Sequence, residues 1–346
     1  CSAELGGSLR ESEADGFGLA ARIAMLLACD TGSGVAESMG LATIGFADAF
    51  ARLVPDLVMV LGDRYEILAA AQAALVARIP LAHLCGGDLT EGAFDDAIRH
   101  ALTKLAALHF TTNAASAARV RQLGEDPARI FNVGSPGIDR LQRLRPLSRE
   151  ALAADLGIEF REKNLLLTFH PETLAAEPAT AQFREVLAGL DALGEDVGVI
   201  ATRPNADNDG LAIMAMLDDY AARRPGTRVF ASLGQRRYLS LAAQVDAVVG
   251  NSSSGLYEIP SLGKPTVNIG DRQMGRLRAA SVIDCPARRE AVAAAVRQAF
   301  DLDCRGVVNP YGDGQAARRI HEAVAGIADF QALARKRFHD PTEGGA

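Results

Sequence analysis

The chain alternates short apolar runs with longer stretches in which apolar residues recur every three or four positions, as strands followed by amphipathic helices do. Residues 15–29 (DGFGLAARIAMLLAC) have helical spacing, and so do 35–53, stopped by Pro55. Residues 56–61 (DLVMVL) form an apolar run ending in Gly62-Asp63, the form of a buried parallel strand. A helix is predicted over 64–77, then a strand over 81–84 that runs into Gly86-Gly87-Asp88. A helix over 94–107, a strand over 108–112, a helix over 114–123 and a strand over 130–133 follow, the last ending in Gly134-Ser135-Pro136-Gly137.

Residues 141–164 are rich in Arg, Pro and Glu and read as a domain boundary. Beyond them strands are predicted over 165–168, 197–201, 228–231, 246–249 and 266–269. Helices alternate with these over 178–193, 209–223, 236–244, from 254, over 288–300 and over 313–328. Such alternation implies right-handed crossovers and parallel sheets, hence an α/β fold. Three segments are expected: an N-terminal domain over 1–145, a C-terminal domain over 146–311, and a last helix and tail over 312–346 that returns to the N-terminal domain. No strand precedes the first helix and the chain opens at Cys1, so the first domain is expected to lack its opening strands. Open α/β sheets bind ligands outside the carboxyl ends of their strands, which puts Asp63, Asp88 and Ser135 on one edge.

Charge and composition narrow the class. A net charge of −7 argues against a general nucleic-acid binder, though not against a small anionic ligand held by local donors. The five cysteines (1, 29, 85, 285, 304) form no CxxC pair and read as reduced cytosolic thiols. No run approaches the ~18 apolar residues of a membrane span, so a cytoplasmic protein without a membrane partner is expected. GxGxxG, GxxxxGK[ST], GxSxG and HExxH are all absent from the sequence, which removes the usual signatures of dinucleotide oxidoreductases, P-loop enzymes, serine hydrolases and zinc proteases. No metal and no cofactor is called for.

Residues 250–258 (GNSSSGLYE) carry the sharpest local signal. They follow an apolar strand and open a helix, so freed N–H groups of Ser252, Ser253, Ser254 and Gly255 can hold a phosphate without lysine. Glu258, one turn on, is placed for ribose hydroxyls; an ordinary serine-capped helix with a surface glutamate is the plain alternative. Carboxylates cluster in the first half: Asp63, Asp88, Glu91, Asp95 and Asp96. Paired acids with separated pKa values suit proton removal beside a sugar carbon, whereas helix caps and solvated faces are their plain reading. His170, just past a strand end, could reach a diphosphate or the reacting sugar. His83 reads as a satisfied core residue, and Arg99-His100 as partners of the acids. Arg203 and Asn205 lie at a strand end where a nucleotide could contact them.

Taken together, the strings GDRYEILAAA (62–71), IPLAHLCGGDLTEGAFDDAIRHALTKLA (79–106), RIFNVGSPGIDRL (129–141), TFHPET (168–173) and VVGNSSSGLYEIPSLGKPTVNIGDRQMGR (248–276) resemble the UDP-N-acetylglucosamine 2-epimerase family, in particular its hydrolysing branch in sialic- and legionaminic-acid pathways. The resemblance implies two Rossmann-like domains facing across a cleft, a GT-B-like fold, and a homodimer. It implies elimination of UDP from a UDP-2-acetamido sugar, then hydration to a manno-configured free sugar. Under it Asp63, Asp88 and Asp95 or Asp96 would move protons, His170 would contact the diphosphate or reacting region, Ser252–Gly255 would hold the phosphates and Glu258 the ribose. Two features depart from the family pattern: Cys85-Gly86-Gly87-Asp88 stands where HGGE is usual, and the family's N-terminal arginine loop has no counterpart. A non-hydrolysing epimerase, a GT-B glycosyltransferase and an inactive UDP-sugar-binding protein remain the alternatives.

Overall fold

The computed structural model describes residues 16–25, 31–91, 94–172, 177–204 and 210–340. The chain forms two compact units. The first comprises Cys1–Leu89, Phe94–Pro136 and Tyr311–Ala346; the second comprises Thr90–Ala93 and Gly137–Pro310. No helix among the described residues is long and apolar enough to cross a membrane.

Residues 16–25 correct one expectation: they carry no helix, although 15–29 has helical spacing. Their apolar side chains find little cover, with Phe17 72% exposed. A short helix without a packed face is marginal in water, so spacing alone does not form one.

Helix α1 (Gly32–Leu53) opens the regular part of the first unit, capped by Thr31, whose hydroxyl accepts the Gly34 N–H at 3.2 Å. It is followed by β1 (Val58–Leu61), α2 (Tyr65–Val76), β2 (Leu81–Leu84), α3 (Asp95–Leu105), β3 (Leu108–Thr111), α4 (Ala114–Gln122) and β4 (Ile130–Asn132). The four strands are parallel in the order β1-β2-β3-β4. Strands β2 and β3 are buried along their whole length, as the near-continuous apolar runs of a covered parallel sheet require. One face packs Val60, Leu81 and Leu102 with the alanines of α2. On the other, Leu84, Leu108 and Phe110 meet Ala316 and Ile320 of the last helix and Leu333 beyond it.

The second unit contains α5 (Pro136–Arg143, whose Pro136 is assigned to the first unit), α6 (Arg149–Leu156), β5 (Lys163–Thr168), α7 (Ala179–Asp191), β6 (Val197–Thr202), α8 (Gly210–Arg223), β7 (Thr227–Phe230), α9 (Gly234–Gln244), β8 (Ala247–Gly250), α10 (Ser254–Tyr257), β9 (Thr266–Ile269), β10 (Val282–Cys285) and α11 (Arg289–Asp301). Helix α12 (Ala316–Ala325) belongs to the first unit. Helices α5 and α6 and strand β10 are additions to the sequence-based expectation; α6 lies inside the Arg-, Pro- and Glu-rich stretch, framed by the Ser148 cap and by Gly157 at φ 61°.

The second sheet is parallel, in the order β10-β9-β8-β5-β6-β7. Chain order therefore reverses between β5 and β8, the point where a doubly wound sheet opens a crevice at its carboxyl edge. Phe183, Val186, Leu217 and Val296 cover one face, and Leu152, Leu241 and Ile259 the other.

Candidate functional site

At the carboxyl edge of the first sheet, Arg99 is the organising residue. It projects from α3, is 2% exposed, and its guanidinium pairs with Asp63, which follows β1, and with Asp96 at 3.2 Å. The same Nη1 donates to the carbonyl of Asp88 at 2.8 Å. His100 Nε2 lies 3.4 Å from Asp96. Asp63 and Asp96 are thus gathered on one buried cation, while Asp95 occupies the same first turn of α3.

Asp88 has its backbone in this group, but its carboxylate is held elsewhere. Oδ1 accepts the Thr112 and Ser116 hydroxyls, each at 2.6 Å, and the side chain is almost fully buried. The turn that achieves this runs through Cys85 at φ 65° and Gly87 at φ 79°. His83 is a satisfied core residue: Nε2 meets the Gly62 carbonyl at 2.8 Å, and burial pushes the imidazole down to about 4.

In the second unit, the reversal of strand order sets the ends of β5 and β8 side by side. Gly250 closes β8 at φ 131°, and a side chain there would strike the Thr168 carbonyl, so only glycine allows the two ends to meet this closely. Asn251, fully buried, accepts the His170 N–H at 2.7 Å and donates to the His170 carbonyl at 2.8 Å. His170 and the serine loop 252–254 therefore share one edge. Helix α10 proves to be a single turn followed by the 3-10 turn Ile259–Leu262, so a helix dipole contributes less here than the sequence suggests. Glu258 stands at the junction of the two; burial, against the pull of Ser254 and Arg276, pushes its carboxyl up to about 7.

The loop after β9 completes this edge with residues that motif reading missed. Gln273 Nε2 and Arg272 Nη1 donate to the Asn251 carbonyl at 2.7 and 3.2 Å. Arg276 lies over the Tyr257 ring and donates to Gln273 Oε1 at 2.7 Å and to Thr90 Oγ1 at 2.8 Å. Glu172 accepts two backbone N–H groups of that loop. The available signal was position, since polar residues directly after buried strands are candidates on topology alone.

Arg203 is not gathered into this group by any bond its side chain makes to it; it pairs with Asp218 of α8 at 2.8 Å on the surface. Asn205 lies outside the described residues. Among the described residues, no group of three or more His, Cys, Asp or Glu is arranged to hold a metal ion.

Two units, each built on a parallel sheet with polar residues along its carboxyl edge, define the class: a two-unit, Rossmann-like, GT-B-like α/β protein. The chain belongs to the UDP-N-acetylglucosamine 2-epimerase family, whose profile matches residues 1–325. It is 40% identical over 284 residues to the GDP/UDP-N,N'-diacetylbacillosamine 2-epimerase (hydrolyzing) of Campylobacter jejuni, covering 82% of this chain and 73% of the relative. It is 33% identical over 322 residues to the UDP-N,N'-diacetylbacillosamine 2-epimerase (hydrolyzing) of Legionella pneumophila, covering 93% and 84%. Its fold is similar to that of the Methanocaldococcus jannaschii UDP-GlcNAc 2-epimerase solved with UDP-GlcNAc and UDP (TM-score 0.72, 18% identity, 84% of this chain and 81% of that one).

Proposed function

We propose that the protein is a hydrolysing 2-epimerase that converts a UDP-2-acetamido sugar and water into UDP and the free sugar inverted at C2. The observation that carries this reading is the pairing of Asp63 and Asp96 on the buried Arg99, a ready pair of carboxylates at the carboxyl edge of a parallel sheet. The names of the C. jejuni and L. pneumophila relatives support the hydrolysing outcome and make UDP-N,N'-diacetylbacillosamine the first substrate to test, with UDP-N-acetylglucosamine beside it.

Elimination breaks the C1–O bond to UDP and the C2–H bond, leaving a 2-acetamidoglucal. A carboxylate removes the C2 proton and an acid assists the departing diphosphate. Hydration then delivers hydroxyl to C1 and a proton to C2 from the opposite face. Asp63 and Asp95 or Asp96 are assigned these transfers, with Arg99 stabilising the ionised partners; Asp88 joins them where its carboxylate is released from Thr112 and Ser116. Ser252–Gly255 are assigned the phosphates, Glu258 the ribose, and His170 the diphosphate or reacting region. His170 lies at the strand-order reversal, where ligands of open α/β sheets bind, which supports its assignment.

The test is turnover of either UDP-sugar in D2O followed by NMR. Free UDP and a manno-configured sugar carrying deuterium at C2 are expected. A product that keeps its anomeric diphosphate would overturn the hydrolysing assignment, and transfer to an acceptor with C2 unchanged would indicate a glycosyltransferase.

A further inference from the structure

Three loops leave adjacent strands at the carboxyl edge of the second sheet: 169–172 after β5, 251–253 after β8 and 270–276 after β9. Strands β5 and β9 are not neighbours, because β8 lies between them. Glu172 nevertheless joins their loops. Its Oε1 accepts the N–H groups of Asp271 at 3.0 Å and Arg272 at 3.2 Å, two successive donors of the kind that form an anion-binding nest. Gly270 precedes them at φ 74°, and any side chain there would strike the Glu172 carboxylate. The nest is thus shaped around an internal anion.

From this grip the bonds run in a closed ring. Glu172 fixes Asp271 and Arg272; Arg272 and the next residue, Gln273, hold the Asn251 carbonyl; the Asn251 amide holds the His170 backbone; and the chain returns through residue 171 to Glu172. Arg276, on the same loop, hydrogen-bonds Gln273. We infer that Glu172 is a positioning residue that closes this ring, holding His170, the serine loop and Arg276 in place for a nucleotide diphosphate without touching it. The inference rests on the assignment of UDP to this edge in the proposed function.

The full chain is tested as wild type, Glu172→Ala and Glu172→Gln, by calorimetric titration with UDP and by backbone hydrogen exchange. Glutamine keeps an acceptor oxygen for both N–H groups, whereas alanine removes it. Glu172→Ala is expected to weaken UDP binding about tenfold and Glu172→Gln to stay within about twofold of wild type, since glutamine still accepts from both N–H groups. Exchange in Glu172→Ala is expected to quicken in all three loops, including His170 and Asn251. UDP affinity unchanged in Glu172→Ala would overturn the inference even if thermal stability fell. So would faster exchange confined to 270–272, or a glutamine variant as weak as alanine. A wild-type chain that does not bind UDP would instead sink the nucleotide assignment itself, a failure visible before any variant is compared.

Discussion

The side-chain amide of Asn251 is matched to the backbone of His170 in both directions, accepting its N–H at 2.7 Å and donating to its carbonyl at 2.8 Å. Both partners are buried, so neither backbone group has water to fall back on. Asn251→Ala removes both bonds and Asn251→Asp removes the donor, leaving the His170 carbonyl without that partner. If His170 acts on the nucleotide sugar, kcat/KM should fall about a hundredfold in either variant, because small displacements of a reacting constellation cost that much. Steady-state kinetics with circular dichroism as the folding control checks this. Wild-type kinetics in a folded Asn251→Ala chain would show that the clamp does not set the site.

Arg99 meets two carboxylates and a carbonyl with a single buried guanidinium. Arg99→Met removes the buried cation that joins Asp63 to Asp96, and Asp96 keeps only its other contacts, His100 among them. Breaking such a pair from one side costs about 3–5 kcal/mol; the part-exposed acids put this case at the lower end. Denaturant titration should show the lost stability. Arg99→Lys should recover part of the stability but little turnover, since lysine cannot make the same forked contact.

Much of this was legible in the sequence because buried parallel strands are short apolar runs with polar residues at their ends. His170, the serine loop and Asp63 are placed past strand ends in that way, and there the strands do end. Strand order was not legible: β5 and β8 are separated by two intervening strands, and nothing local says that their ends meet. The ring through Asn251, Gln273 and Glu172 is a product of that adjacency, so no single motif contains it. Within the apolar spacing over 15–29, the described residues 16–25 form no helix for the opposite reason, since periodicity reports a helix only where a packed face rewards it.

Asp88 tests how far chain position predicts side-chain direction. Its place after β2 suggests a catalytic acid, yet Oδ1 lies between the Thr112 and Ser116 hydroxyls. Asp88→Ala leaves both hydroxyls short of that acceptor in a buried site, which costs roughly 1–3 kcal/mol. Asp88→Asn keeps the volume and one acceptor oxygen. A catalytic carboxylate would lose turnover in both variants with normal stability in Asp88→Asn. A structural anchor would lose stability in Asp88→Ala and keep most turnover in Asp88→Asn. Measuring both quantities on both variants separates the roles.

Glu258 makes a prediction about pH whose sign follows from burial. Its carboxyl is raised from 4.5 to about 7, with desolvation the largest cause and Ser254 and Arg276 opposing it. Between those two values the folded chain holds a proton at this site that the unfolded chain has released. Stability contributed by the group is therefore fully present below 4.5, declines as pH rises through this interval, and levels off above 7. Glu258→Gln cannot ionise, so the difference in unfolding free energy between wild type and variant should drift against wild type from pH 5 to pH 7, about the interval of the shift, and then become constant. A difference that does not change with pH would mean that Glu258 stays solvated. UDP should oppose the drift if the ionised carboxylate accepts the ribose hydroxyls, because ligand binding then favours loss of the same proton. Titrations of UDP at pH 6 and pH 8 with wild type and Glu258→Gln read that coupling directly, once the phosphate's own ionisation, common to both proteins, is cancelled in the ratio.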